Sequence, residues 1–543
     1  MADTEYVIPE RTTVDGVPVF FLRLPGLSRA ELIFRVGHAD EALPRRGITH
    51  LVEHLAMRSR SRRPDWWRAN GHVDPLVTRF SVRGASDDIS KFVSEVTRNL
   101  VDLPLDMLSA ELAILRTEAG NSPGGSIKGL WSHRYGARGL GVTDYREFGL
   151  RWLGPSEVSA WAEERFTAGN AVLWVSGDLP SNLRLHLRPG ARFPPPRPGP
   201  IERATPAVYQ QGHAGVALSM ITKAEITTRY IVSEVLDDRV RQRIRHDQSL
   251  AYDARVDLQT GGITAYADAL AENSEQAAAS LVAIVRELAE HGHRPEELER
   301  ALASNHAARQ EPGAALESLT DAASLELGVA TSTISWDDYD REAAALTAAD
   351  IAVATQQALS TALLAIPEGV SCDIDGFTPI PEDNGIVFDG EPLLAAADAG
   401  HDMAVLYSDQ GISIGTAGAT KHGIYWHDIA AALWWSDGTR VLIALDGSAR
   451  QFVPTNWKRS EGLFEAIRIH VPADRWVPMD GPPRSVATEA AEIEADSEKR
   501  PEPSRSESQA RPTRRLAPRW VITFGMIAAW MLLVVLAWRR FYG

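Results

Sequence analysis

Two rhythms of apolar and polar residues alternate along the chain. Short apolar runs such as Val19-Phe20-Phe21-Leu22 and Leu32-Ile33-Phe34 predict strands. Residues 78–118 predict a strand, a polar start, an amphipathic helix carrying Val93, Val96 and Leu100, a short break and a second helix. Residues 263–304 repeat that order, with Leu281, Ile284 and Leu288 on the helix. The two stretches read as weak repeats, each an α+β unit with helices packed on one face of its sheet. Between them, Pro189 to Pro200 (PGARFPPPRPGP) stops helices and interrupts ladders. The expected division is a first domain over 1–188, a proline-rich linker over 189–204 and a second domain over 205–375.

A third pattern fills residues 385–475. Short alternating runs (Ala404 to Tyr407, Gly411 to Ile414, Gly423 to Trp426, Ala431 to Trp435, Val441 to Leu445) are punctuated by Asp437-Gly438 and Asp446-Gly447. An amphipathic helix from Glu461 to Ile469 closes it. This predicts a small β-barrel or sandwich with a C-terminal helix, and it resembles pleckstrin-homology-like domains of bacterial membrane proteins. Residues 476–518, rich in Pro, Ser, Glu, Ala and Arg, bury too little to fold and predict a flexible tether.

The tail changes the picture. Trp520 to Trp538 is 19 residues without a charge. At ~1.5 Å per residue it spans roughly the 30 Å hydrocarbon core of a bilayer. Trp520, Trp538 and Tyr542 fall where interfacial aromatics belong. Arg511, Arg514, Arg515 and Arg519 precede the span, and only Arg539 and Arg540 follow it. The larger basic group predicts a single-pass cell-membrane protein whose bulk is cytoplasmic. The acidic start (Asp3, Glu5, Glu10) is unlike a signal peptide.

Composition narrows the chemistry. The chain has 543 residues, too many for one ordinary core. Its formal charge of −16 argues against nucleic acid as a partner. Cys372 stands alone, so neither an intrachain disulfide nor a thiolate metal cluster can form. Arg far outnumbers Lys and Ala is abundant, a bias of GC-rich bacterial genomes.

The reactive candidates begin at Gly47-Ile48-Thr49-His50-Leu51-Val52-Glu53-His54-Leu55. Apolar residues at 48, 51, 52 and 55 make a helical stripe, so His50 and His54 lie one turn apart on one face. Two neutral imidazoles at that spacing can grip one zinc ion, and Glu53 beside them can take a proton from a coordinated water. A third ligand is needed. Glu118 can supply it from a second helix, and Glu111, two turns earlier on the same face, can orient a ligand or the water. Taken singly, the pentapeptide also fits two inert surface histidines, and Glu111 and Glu118 fit two solvated glutamates.

Together, Val36-Gly37-His38-Ala39-Asp40-Glu41 and His50-Leu51-Val52-Glu53-His54 resemble the first-domain signature of the insulinase/pitrilysin zinc peptidases, which include the mitochondrial processing peptidase. The resemblance implies zinc, one per chain, on His50, His54 and Glu118, with Glu53 as general base. Gly71-His72-Val73-Asp74 and Thr78-Arg79-Phe80-Ser81-Val82 resemble that family's strand facing the site. In the second half, Arg243 to Tyr252 resembles the family segment that contributes an Arg and a Tyr seven apart, here Arg245 and Tyr252. Both are donors able to stabilise an oxyanion. The likeness covers roughly residues 10–370 and departs twice. The interval from His54 to Glu118 is 118 − 54 = 64 residues, shorter than usual, with the loss at Met57 to Asn70. His246 stands where the family has an acid. The family's chamber needs four such domains, so two here imply a homodimer, or a heterodimer with a related subunit, in which Arg245 and Tyr252 face the partner's zinc. The expected function is a membrane-anchored zinc endopeptidase acting on peptides or unfolded segments. The alternative is a catalytically silent peptide-binding or scaffold subunit of a membrane complex.

Overall fold

The computed structural model describes residues 8–480, except 59–67, 122–128, 213–214, 260–261, 312, 331, 391, 398–402 and 417–420. The expected span at Trp520 to Trp538 and the tether from residue 481 on lie outside the described residues, as does most of the shortened stretch after Met57; the first residues of the expected tether, Trp476–Pro478, instead form a strand paired in a sheet. Among the described residues no helix is long and apolar enough to cross a membrane.

The first half contains strands β1 (Glu10–Val14), β2 (Val17–Leu22), β3 (Ser28–Phe34), β4 (Ala69–Val73), β5 (Thr78–Gly84) and β6 (Ala171–Ser176). Its helices are α1 (Ile48–Met57), α2 (Ser86–Val101), α3 (Leu108–Asn121), α4 (Leu130–Tyr135) and α5 (Pro155–Arg165). The second half contains β7 (Ala207–Gln211), β8 (Val216–Ile221), β9 (Ala254–Gln259), β10 (Gly262–Ala267), β11 (Leu363–Pro367) and β12 (Thr378–Pro379). Its helices are α6 (Ile226–Val240), α7 (Ala271–His291), α8 (Pro295–Arg309), α9 (Ala315–Glu326), α10 (Trp336–Ala345) and α11 (Ala348–Leu359).

The two sheets share one plan. The first runs β1-β2-β6-β3-β5-β4 and the second β12-β7-β11-β8-β10-β9. In each, the second and third strands are parallel (β2 with β6, β7 with β11) and the next three pairings are antiparallel. The weak repeat is therefore a repeat of topology as well as of element order.

Each sheet is covered on both faces, which explains apolar runs that do not alternate. Val19 and Phe21 point into a core shared with α1, α2 and α5. Their neighbours Phe20 and Leu22 pack instead with Ile33, Val172 and Trp174 against Leu319, Ala323 and Leu327 of the α9 region. The expectation of helices on one face is thus corrected: the second face is covered from the other half. Leu130 of α4 does the same for the second sheet, packing with Tyr209, Ala217, Tyr266 and Leu363. The proline-rich stretch forms no strand or helix, and its Pro195 to Pro198 border the cleft between the halves.

The C-terminal region holds two further four-stranded sheets. One is formed by β13 (Leu393–Leu394), β14 (Met403–Tyr407), β15 (Gly411–Thr416) and β16 (His422–Tyr425). The other is formed by β17 (Ile429–Trp434), β18 (Arg440–Ala444), β19 (Ala449–Phe452) and β20 (Trp476–Pro478). α12 (Glu461–His470) closes them, and Leu463 and Ile467 join Val405, Ile412, Leu442 and Phe452 in one core.

Candidate metal centre and active site

The centre is built on α1. Gly47 precedes the helix with φ 99°, a left-handed turn that favours glycine. Glu41, buried, accepts hydrogen bonds from the N–H groups of Gly47 at 3.0 Å and Thr49 at 2.9 Å, so it satisfies two amides at the helix start. Arg46 Nη1 lies 3.0 Å from the same carboxylate. Ile48, Leu51, Val52 and Leu55 are fully buried, which fixes the rotation of the helix and turns His50, Glu53 and His54 toward the cleft.

The ligand candidates converge. His50 and His54 have ring centroids 4.9 Å apart. One ligating atom from each of His50, Glu53 and His54 lies within 4.8 Å of the other two. Glu118 Oε2 is 3.8 Å from His54 Nε2, and Glu53 Oε2 is 3.9 Å from it. Each ring is gripped from behind: His50 Nδ1 lies 3.0 Å from Glu147 Oε1, and His54 Nδ1 lies 3.1 Å from Glu111 Oε2. An ionised carboxylate only accepts, so both rings donate from Nδ1 and keep the Nε2 lone pair for a cation. The other Glu111 oxygen, Oε1, is 2.6 Å from Arg58 Nε, close in distance but without hydrogen-bond alignment.

This donor set fits zinc. Two ligands on a tetrahedral zinc at ~2.1 Å stand about 3.4 Å apart. The 3.8 Å between His54 Nε2 and Glu118 is within half an ångström of that. Two imidazoles and a carboxylate are the ligands of catalytic zinc sites, which leave a fourth position for water or substrate.

The electrostatics divide the roles. Glu53 is 6% exposed, and burial raises its pKa against the opposing pull of His54 and His50. For His50, burial acts downward, but Glu147, Glu53 and Glu118 outweigh it and the net direction is up. His38 is held well below the usual histidine range by burial, Arg46 and His50. Arg46 Nη1 donates to His38 Nδ1 at 2.8 Å, so His38 is a neutral ring bordering the cleft. In β4, Gly71 lies so close to Glu53 that any Cβ there would overlap its carboxylate.

The cleft has a volume of about 1700 Å³. Its far wall comes from the second half, with Tyr230 and Glu234 of α6, Glu317 and Asp321 of α9, and Trp336 of α10. The edge strands β4 and β9 both border it.

Five of the seven predicted site residues, His50, Glu53, His54, Glu111 and Glu118, therefore come together. Arg245 and Tyr252 do not join them. They lie outside the cleft residues, Tyr252 is 81% exposed, and the Arg245 guanidinium sits 5.3 Å from the Tyr252 ring centroid. Sequence reasoning missed Glu147 and Arg58, and it placed Gly71 in a strand facing the site without its contact to Glu53. Glu147 is 97 residues from His50 and sits in an irregular segment with no periodicity to expose it. Glu41 carried a readable signal, an acid just ahead of an apolar helix start.

No family model and no curated protein matches the chain. Solved structures do. A protease from Helicobacter pylori superposes with a TM-score of 0.54 at 16% identity, covering 66% of this chain and 99% of that one. A peptidase M16 inactive domain from Pseudomonas fluorescens gives 0.53 at 14%, covering 69% and 100%. The periplasmic protease PqqL from Escherichia coli gives 0.52 at 12%, covering 77% of this chain and 57% of PqqL. The chain shares the fold of these three proteins, one of which is described as a peptidase M16 domain. One of them is described as inactive, so the fold leaves catalysis to be argued from the residues.

Proposed function

We propose that this chain is a zinc metalloendopeptidase, anchored to the membrane by Trp520 to Trp538 with its bulk on the cytoplasmic side, that hydrolyses peptides or unfolded segments. The observation that carries the reading is the double grip on the histidines, in which Glu147 and Glu111 hold the Nδ1 atoms, leaving His54 Nε2 between Glu53 and Glu118 and His50 grouped with Glu53 and His54. Inert surface histidines have no need of a buried and a half-buried carboxylate behind them.

His50, His54 and Glu118 would hold the ion. A zinc ion there supplies Lewis acidity, which brings a coordinated water's pKa toward ~7 and polarises the scissile carbonyl. Glu53 would accept the proton of the attacking water and deliver it to the leaving amine nitrogen. Among the described residues β4 is a sheet edge, along which an extended chain can pair, which selects unfolded segments over folded proteins.

Metal analysis and a digest of an unbiased peptide library test this together. One zinc per chain is expected, lost in His50→Ala and Glu118→Ala. Glu53→Gln should keep zinc and abolish cleavage; a Glu53→Gln enzyme as fast as wild type would end the mechanism.

The exposure of Tyr252 favours a second element of the reading. With Arg245 and Tyr252 outside their own chain's cleft, donors for the oxyanion come from a second chain, as a homodimer or a heterodimer with a related subunit. Without such a partner the chain is a silent peptide-binding subunit, and wild-type protein that binds library peptides without cutting them would select that alternative.

A further inference from the structure

The segment from Gly136 to Trp152 touches two distant parts of the molecule at once. Toward the metal centre, Glu147 Oε1 lies 3.0 Å from His50 Nδ1 and 3.4 Å from Arg46 Nη1. Toward the C-terminal β domain, Val142 and Phe148 are buried in one cluster with Leu433, Trp435 and Val441. Backbone contacts reinforce that packing. Ala137 N–H donates to the Leu445 carbonyl at 3.0 Å, and the Tyr145 hydroxyl donates to the Gly447 carbonyl at 3.4 Å. A side chain at Gly136 would collide with the Leu445 carbonyl, so the two backbones are built to meet.

The segment also holds the approach to α1. Gly149 N–H donates to Arg46 O at 2.9 Å, and the Trp152 indole N–H donates to Pro44 O at 2.8 Å. Leu43 of that approach lies in the same cluster as Trp435. Within residues 139–151 the regular structure is limited to short 3₁₀ turns. Such turns have few bonds of their own, so packing from outside sets their conformation.

We propose that the C-terminal β domain braces the metal-binding face, and that Glu147 is the positioning residue through which the brace acts, fixing the ring of His50 and so setting the affinity of His50, His54 and Glu118 for a divalent cation. This rests on the metal reading above. A domain that holds the segment from behind keeps the carboxylate within hydrogen-bond reach of Nδ1, and a loosened segment lets the ring rotate away from the ion's position. The carboxylate behind a ligating histidine generally contributes 10–100-fold in metal affinity.

The test is zinc titration of the full chain against a chromophoric chelator, with the absorption spectrum of the Co²⁺-loaded protein as a report on ligand geometry. Glu147→Ala should bind zinc roughly 10–100-fold more weakly and shift the Co²⁺ bands, and Glu147→Asp should recover part of the loss. Trp435→Ala, made in the β domain, should weaken zinc in the same direction. Val441→Ala, a smaller truncation of the same contact, serves if Trp435→Ala does not fold. The proposal falls if Glu147→Ala binds zinc within about twofold of wild type, or if the β-domain variants lower the melting temperature and leave zinc affinity unchanged. His50→Ala separates the two readings: if it binds zinc as tightly as wild type, the metal assignment itself has failed.

Discussion

At Gly71 a missing side chain leaves room for the proposed base. The Glu53 carboxylate is packed against it, in a wall where Glu53 is only 6% exposed, so a Cβ at 71 forces the carboxylate to move. Gly71→Ala should therefore keep zinc, because it touches none of His50, His54 or Glu118, and cost hydrolysis at least ~10²-fold through misplacement of the base. Its stability should change little, because the group that must give way is the end of a flexible side chain bordering the open cleft. Metal content, turnover and a melting curve check the three parts, and unimpaired turnover in Gly71→Ala would show that Glu53 does not act from this position. The same scale shows what a sequence can reveal of a site. His50, Glu53 and His54 lie within one helical turn, so their spacing already states their geometry. Gly71 and Glu147 act on that turn across 18 and 97 residues, through contacts that exist only once the chain has folded.

At the scale of elements, α9 has a double position. One face covers the first sheet through Leu319 and Ala323, while Glu317 and Asp321, one turn apart, border the cleft. Burial pushes Glu317 up to about 8, with Asp321 and Arg309 acting in opposite directions, and burial pushes Asp321 up to about 6. Both folded values lie above the unfolded carboxyl values of about 4. The native state thus binds more protons than the unfolded state between pH about 4 and 8. Its contribution is complete below that window and is lost as pH rises through 6 and then 8. In metal-free protein, kept so with chelator, wild type should lose on the order of 1–2 kcal/mol more stability than Glu317→Gln between about pH 5 and 8.5, after allowing for solvent screening. Denaturant melts at the two pH values measure it, and parallel losses in both proteins would clear Glu317 of the effect. Elements were legible where local signals set them. β17, β18 and β19 follow one another through Asp437-Gly438 and Asp446-Gly447, so pattern and pairing coincide. The main sheets were legible as strands but not as an order, because β6 enters between β2 and β3 from nearly 140 residues downstream of β3. Periodicity shows which face of a strand is apolar; it does not identify α9 as what covers that face.

At the scale of the whole molecule, the two halves enclose the cleft, yet the pair resembling the family's oxyanion donors points elsewhere. Arg245 and Tyr252 sit together between α6 and β9 with the tyrosine 81% exposed, open to a contact with another molecule. If that molecule is a second copy, each site is assembled from His50, Glu53, His54 and Glu118 of one chain and Arg245 and Tyr252 of the other. Complementation then follows from symmetry. His50→Ala and Arg245→Ala should each be strongly impaired alone. Co-expressed in equal amounts, half of the dimers pair one of each, and in such a dimer one of the two sites has all its parts. Activity should return to roughly a quarter of wild type. His50→Ala with Glu53→Gln should restore nothing, since both lesions fall on the same side of the shared site. If Arg245 worked within its own chain, no chain in the first mixture would carry a complete set and activity would stay at background. Steady-state hydrolysis by the purified mixtures therefore distinguishes a site shared between chains from one closed within a chain.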